Sequence, residues 1–260
     1  MLSKTVATLI RRLNFGNTSR VLAFYSRRYG QIRLIAKGVR RHAKRRAGEV
    51  GPELFTEGEL VFYPSRSDGL AVLKEWCEED ARPGIARKPV RYFAACYVAE
   101  VIEALSREGE PSAELYSLLA ETLDAVAGAS RCETILSAFE LGLLRILGLA
   151  PETGLCTICG RKRDQARRGG ILYSPVDGGA VCGECADRVE GPSVRLTAGA
   201  LAAMEHLART GPRSAVGVSL RPRELRPIRE ALSSSVACAL ERAPRTLRHA
   251  KTLEKARKDR

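Results

Sequence analysis

From Lys4 to Trp76, apolar and polar residues alternate in short runs with a period of two, and turn-forming residues separate the runs. The pattern predicts strands at Thr5 to Leu13, Arg20 to Tyr25, Gln31 to Lys37, Leu54 to Tyr63 and Leu70 to Trp76. Between them stand Asn14-Phe15-Gly16-Asn17, a tight connection ending in Gly30, and Pro64-Ser65-Arg66-Ser67-Asp68-Gly69, all of turn composition. In the third run Ile32, Leu34 and Ala36 alternate with Arg33, Ile35 and Lys37, which makes one face apolar and the other partly cationic. Five strands in about 80 residues predict a small OB-fold barrel.

Beyond Arg82-Pro83-Gly84 the period lengthens to about 3.6, marking a change to helices. Val90 to Ser106 carries Phe93, Tyr97, Val101 and Leu105 on one stripe, and Ser112 to Val126 carries Leu115, Leu119, Leu123 and Val126. A third helix is expected from Ser130 to Leu147, ended by Gly148 and Pro151. Two more, Thr197 to Thr210 and Pro222 to Arg242, are stopped by Gly211 and Pro244. Tyr92, Phe93, Tyr97 and Tyr116 read as packing residues at helical spacing, and His206 and His249 have no partner at ligand spacing.

Interrupting the helices are Cys156-Thr157-Ile158-Cys159 and Cys182-Gly183-Glu184-Cys185, separated by 22 residues. Two residues between paired cysteines let both thiolates face one ion, and two such turns complete a tetrahedron. Ile171 to Pro175 and Ala180-Val181 flank Asp177-Gly178-Gly179 as strand, turn and strand, so the segment resembles a zinc ribbon holding structural Zn2+ through Cys156, Cys159, Cys182 and Cys185. A redox pair needs an activated Cys-x-x-Cys beside a βαβ pattern, and disulfides need an oxidising compartment. Four thiolates also close the shell against catalysis. Cys77, Cys96, Cys132 and Cys238 read as buried packing thiols.

The expected architecture is therefore α+β: an N-terminal five-stranded OB-fold barrel over residues 1–80, then an α-helical domain in two parts, 81–155 and 191–260, with an inserted four-cysteine zinc ribbon at 156–190. A chain of 260 residues that is 45% apolar can bury a substantial core, and its apolar runs are too short for a membrane span.

The net charge of +13 is unevenly placed. Residues 1–46 hold thirteen bases and no acid, whereas residues 47–80 hold nine acids and two bases. Lys37 to Arg46 contains six cations in ten residues, with the composition of a loop, and the tail from Arg245 to Arg260 is basic again. An acid-free, Arg-rich start also describes a transit peptide, and a basic run a nuclear address or a solvated loop, but this segment has the organisation of folded β structure.

Eight of the fourteen aromatic residues fall between Phe15 and Trp76, among these cations. Aromatic faces stack on bases while Lys and Arg track phosphates, which is the chemistry of single-strand binding. Tyr25, Tyr29 and Phe15 are the best-placed rings. The candidate DNA contacts are Arg27, Arg28, Arg33, Lys37, Arg40, Arg41, Lys44, Arg45 and Arg46 with Tyr25 and Tyr29. No carboxylate cluster or phosphate-binding Gly-rich loop accompanies them, so the expectation is a protein that is not an enzyme and anneals strands by neutralising phosphates. A zinc-ribbon RNA-binding or transcription accessory module is the alternative.

The segment Tyr25 to Arg41, YSRRYGQIRLIAKGVRR, resembles the N-terminal signature of the DNA repair protein RecO family. Phe139 to Pro151, leading into Cys156-Thr157-Ile158-Cys159-Gly160, and Ser174 to Cys182 are similar to that family's last helix and zinc site. Order and spacing agree over about residues 1–190, and similarity weakens from Leu196 onward. The resemblance implies a recombination mediator that binds single- and double-stranded DNA, anneals complementary strands and helps load RecA. The implied partners are RecR and the acidic C-terminal tail of single-strand binding protein, in the cytoplasm at the nucleoid and without a membrane. An isolated 1–80 fragment is then expected to bind DNA.

Overall fold

A computed structural model of the chain describes residues 1–37, 52–65, 69–162 and 170–247. The chain forms two compact units, Met1–Leu123 and Asp124–Arg260.

In the first unit, strands β1 (Ser3–Phe15), β2 (Ser19–Ser26), β3 (Gly30–Ala36), β4 (Glu57–Tyr63) and β5 (Ala71–Asp80) close into a barrel in the order β1-β2-β3-β5-β4. All pairings are antiparallel except that of β3 with β5, which joins Leu34 to Ala71 and Ile35 to Val72. The predicted alternation holds: Ile32, Leu34 and Ala36 enter the core with Leu9, Leu22 and Phe24, while Arg33 and Lys37 face outward. The chain's single tryptophan, Trp76, packs on Phe24 at 5.0 Å between ring centroids.

The register of β1 shifts between Leu9 and Arg11. Beyond this irregularity β1 runs on with β2 to the Phe15–Ser19 pair, and Leu13, Asn14 and Phe15 are exposed. Helices α1 (Pro89–Leu105) and α2 (Ala113–Gly128) follow the barrel. Pro89 suits the first turn of α1, where its missing N–H costs nothing. The apolar stripes face inward over most of their length, with Tyr97, Val101, Leu115, Leu119 and Leu123 buried, but at the start of α1 Tyr92 and Phe93, expected to pack, are exposed, and Leu105 at its end is half-buried. Compactness groups residues 81–123 with the barrel: Phe55 meets Tyr92 edge-on at 5.7 Å, and Arg82 reaches the carbonyl of Phe55 at 3.1 Å.

The second unit contains α3 (Glu133–Ile146), strands β6 (Ile171–Ser174), β7 (Gly179–Val181) and β8 (Val194–Leu196), and helices α4 (Ala198–Ala215) and α5 (Pro222–Ala239). The strands form one antiparallel sheet in the order β7-β6-β8. The β6–β7 hairpin agrees with the sequence expectation, whereas β8 is an addition to it: three residues are too short for a period to show. Thr197 caps α4 by accepting the Ala200 N–H at 3.0 Å. Gly211, expected as a terminator, has φ 74° and instead kinks the helix, which resumes at Pro212 and runs to Ala215.

Helices α4 and α5 pack on α3. An ion pair between Arg229 and the fully buried Glu140 joins α5 to α3, and a 2.9 Å hydrogen bond between the Tyr173 and Ser235 hydroxyls joins β6 to α5. Of the four cysteines expected to be buried outside the ribbon, Cys132 is buried and Cys96 half-buried, but Cys77 and Cys238 are exposed. Cys77 sits opposite Glu59 on β5, whose C-terminal half from Cys77 onward lies in solvent.

No helix among the described residues is long and apolar enough to cross a membrane.

Candidate nucleic-acid interface and metal centre

The cations of β2 and β3 fall into separate groups. Arg27 and Arg28 are exposed on the turn joining the two strands, a turn closed by the Ser26 hydroxyl, which accepts the Tyr29 N–H at 2.9 Å, and by Gly30 at φ 62°. Arg28 lies 5.6 Å above the Tyr29 ring, whose edge contact with Phe62 at 5.6 Å leaves it half-buried. Lys37 is exposed just past the other end of β3, about 23 Å away at the usual rise of a strand. Arg33 stands between them, but its guanidinium is paired with Glu108 at 2.7 Å.

Other barrel cations are answered in the same way by acids from elsewhere in the unit. Arg11 pairs with Glu103 at 3.0 Å, Arg12 with Glu53 at 3.1 Å, and Lys4 with Glu59 at 2.7 Å. Among the described residues, no carboxylate ion pair joins Arg27, Arg28 or Lys37. Charge also divides the barrel, since β4 and β5 carry Glu57, Glu59, Glu75, Glu78, Glu79 and Asp80. Acids gathered in this way disfavour polyanions on β4 and β5.

Tyr25 cannot stack on a base, because its side chain is 0% exposed. Phe24 takes the inner face of β2, and Tyr25, on the opposite face, is covered too. The Tyr25 hydroxyl is buried near the Ser112 backbone without a hydrogen bond among the described residues, and burial raises its pKa. Phe15 is 56% exposed at the end of the β1–β2 hairpin and is the most open ring of the three. Leu13 is exposed beside it.

Arg40, Arg41, Lys44, Arg45 and Arg46 lie outside the described residues. The residues bracketing them do not: Lys37 follows Ala36, the partner of Arg20, and Pro52 accepts a hydrogen bond from Arg12, the partner of Leu22.

In the second unit, the sulfurs of Cys156, Cys159, Cys182 and Cys185 lie within 4.8 Å of one another and can hold a metal ion. Four thiolates placed tetrahedrally about 2.3 Å from an ion stand about 3.8 Å apart, and the Cys159 and Cys182 sulfurs are 3.8 Å apart. Each pair of cysteines is set by a tight turn, with Gly160 N–H donating to the Cys156 carbonyl at 2.8 Å and Cys185 N–H to the Cys182 carbonyl at 3.0 Å. Gly160 has φ 70°, which a side chain would disfavour. The Thr157 N–H bonds to the Ala180 carbonyl at 3.0 Å, tying the first turn to β7.

Burial pushes the Cys156 thiol up, but N–H bonds from Cys182, Cys159 and Ile158 outweigh it and bring the group down to about 6. Cys185 goes the other way, to about 12, through burial and its three sulfur neighbours. A bound cation removes that conflict by stabilising all four thiolates at once. Arg161 and Glu184 close the outside of the site with a 2.5 Å ion pair.

The family model described as Recombination protein O N terminal matches residues 1–78, and that described as Recombination protein O C terminal matches residues 86–248. The chain belongs to the RecO family. Relatives named DNA repair protein RecO include one from Symbiobacterium thermophilum, 31% identical over 250 residues that cover 96% of each chain. Another, from Pelotomaculum thermopropionicum, is 34% identical over 71% of this chain and 68% of its own. The Anaeromyxobacter dehalogenans relative is 30% identical over 89% of both. The RecO family places the chain in DNA repair and recombination, and its two matched segments take in both the barrel and the cysteine cluster.

Proposed function

We propose that this RecO-family protein is a non-enzymatic recombination mediator that binds single- and double-stranded DNA on the β1–β3 side of its barrel and anneals complementary strands. The observation carrying this reading is the exposure of Arg27, Arg28 and Lys37 without carboxylate partners among the described residues, on a barrel whose acids gather on β4 and β5. Arg40, Arg41, Lys44, Arg45 and Arg46 extend the same contact set in sequence. Neutralising phosphates releases counterions and lets two strands approach each other.

The cysteine cluster takes Zn2+ in a structural role, because four thiolates leave no open position for water. The wider role includes loading RecA onto DNA covered by single-strand binding protein, with RecR as a further partner, in the bacterial cytoplasm at the nucleoid.

The deciding experiment anneals complementary oligonucleotides, bare and coated with single-strand binding protein, across a salt series. About eight phosphate contacts among the nine candidate cations give a slope of log affinity against log salt near −6. Reversing Arg40, Arg41, Arg45 and Arg46 abolishes annealing in a folded protein. Unchanged annealing by the charge-reversed variant, or a preference for structured RNA, overturns the reading.

A further inference from the structure

Glu108 lies in the segment after α1, 75 residues from Arg33 in sequence. Its carboxylate accepts three hydrogen bonds from that one residue: the backbone N–H of Arg33 at 3.2 Å, Nε at 3.1 Å and Nη2 at 2.7 Å. A guanidinium fork joined by a neighbouring N–H binds any anion that offers two oxygens, and a phosphodiester offers two as a carboxylate does.

The segment is held by its backbone rather than by the carboxylate. Glu108 bridges Gly30 and Gln31, and the Gly109 N–H donates to the Gln31 carbonyl at 3.2 Å. The Ser106 hydroxyl bonds to Gln31 Oε1 at 3.3 Å. A Cβ on Gly30 would stand 2.2 Å from the Glu110 carbonyl oxygen, so the close approach depends on a glycine there. The ion pair itself remains open, with 54% of the Arg33 side chain and 46% of the Glu108 side chain exposed. An ion pair so exposed contributes little and exchanges readily. Along β3 it occupies the position between the open cations of the β2–β3 turn and Lys37.

Building on the DNA-binding reading above, we propose that the three donors of Arg33 form a phosphate subsite of the nucleic-acid interface, filled by the Glu108 carboxylate in the free protein and by a DNA phosphate in the complex. Glu108 then acts as an internal competitor that lowers affinity at this one position.

The test measures binding of full-length protein to a labelled oligothymidine by fluorescence anisotropy across a salt series, with Trp76 fluorescence confirming the fold. Glu108→Ala and Glu108→Gln are expected to tighten binding about fivefold at low salt with the salt slope unchanged, because Arg33 meets the phosphate in the wild-type complex too. Adding Arg33→Ala to either variant removes the gain and makes the slope shallower by about 0.7, whereas Glu110→Gln, a nearby carboxylate change, leaves the affinity as it was. Wild-type affinity in both Glu108 variants overturns the subsite while leaving the DNA-binding reading intact. Gains that survive Arg33→Ala overturn it as well, because they report general loss of negative charge. Failure of the wild type to bind at low salt removes the DNA-binding reading and the subsite together.

Discussion

The guanidinium of Arg82 lies 3.3 Å from the Glu57 carboxylate, with only 3% of the Arg82 side chain exposed. It also donates to the Phe55 carbonyl at 3.1 Å, so one residue in the linker after β5 ties the start of β4 to the helical segment. Removing one partner of a buried ion pair leaves the other charge uncompensated, at a cost of about 3 kcal/mol. Arg82→Ala is expected to lower the stability of the first unit by about that much, read as the urea midpoint of Trp76 fluorescence. Arg82 has φ 41°, so Arg82→Gly should be less harmful than Arg82→Ala by about 0.5 kcal/mol. An unchanged midpoint in Arg82→Ala would show that the pair does not hold the unit together.

The ribbon makes a separate prediction. Purified protein is expected to carry one zinc ion per chain, lost in Cys182→Ser and on treatment with a strong chelator. Zinc-coupled folding free energy reaches on the order of 10 kcal/mol in small zinc peptides, and the cluster of Cys156, Val181 and Cys185 is too small to replace it. Amide hydrogen exchange in β6, β7 and the two cysteine turns should then rise to the rate of unfolded chain. Protection that persists without metal would mean the strands stand without it.

How far the sequence could reveal these features depended on the range of the interactions. The alternation Ile32, Leu34, Ala36 is local, and it located β3 to within a residue at each end. The Cys-x-x-Cys spacings are local too, and their four sulfurs converge. Tyr25 reads as an outward ring by period, yet its solvent side is closed by the segment at Ser112, which no local pattern announces. Arg33 likewise looks like an open cation until Glu108 arrives from 75 residues away. Short-range pattern therefore gave the barrel and the four converging cysteines, while cover and pairing over long range decided which residues of the proposed DNA surface are open.

Buried ionisable groups make the first unit sensitive to alkali. Burial raises the Cys96 thiol from 9.0 to about 11. Tyr25, Tyr92 and Tyr116 are also raised above 10.0, each through burial first, with the Glu57 carboxylate adding to the shift at Tyr116. In all four the folded state holds its proton more tightly than the unfolded chain. Their contribution is fully present below the unfolded value and is lost as pH rises toward the folded one. The urea midpoint reported by Trp76 should hold steady up to about pH 9 and fall between about pH 9 and 11. Cys96→Ala should make the fall shallower. A midpoint independent of pH across that window would contradict the burial of these groups.

The boundary of a fragment that keeps the proposed DNA surface follows from the same contacts. A cut after residue 80 keeps all five strands but removes Arg82 from Glu57, Tyr92 from Phe55, Glu108 from Arg33 and the Ser112 cover from Tyr25. Losing the Arg82 pair costs about 3 kcal/mol and uncovering one large aromatic face about 2 kcal/mol more. That is a large part of the roughly 5 to 15 kcal/mol that stabilises a typical domain. A fragment of residues 1–128, which completes α2, should unfold cooperatively with a Trp76 midpoint close to that of the full chain and should bind oligothymidine with a similar salt slope. The 1–80 fragment should show a much lower midpoint or no cooperative transition. Its binding at high protein concentration would then reflect the folded fraction alone, because the cations of β2 and β3 remain while the barrel that aligns them is only partly populated. Equal midpoints for the two fragments would show that the barrel stands without the helices and that the contacts at Arg82, Tyr92 and Ser112 add nothing to it.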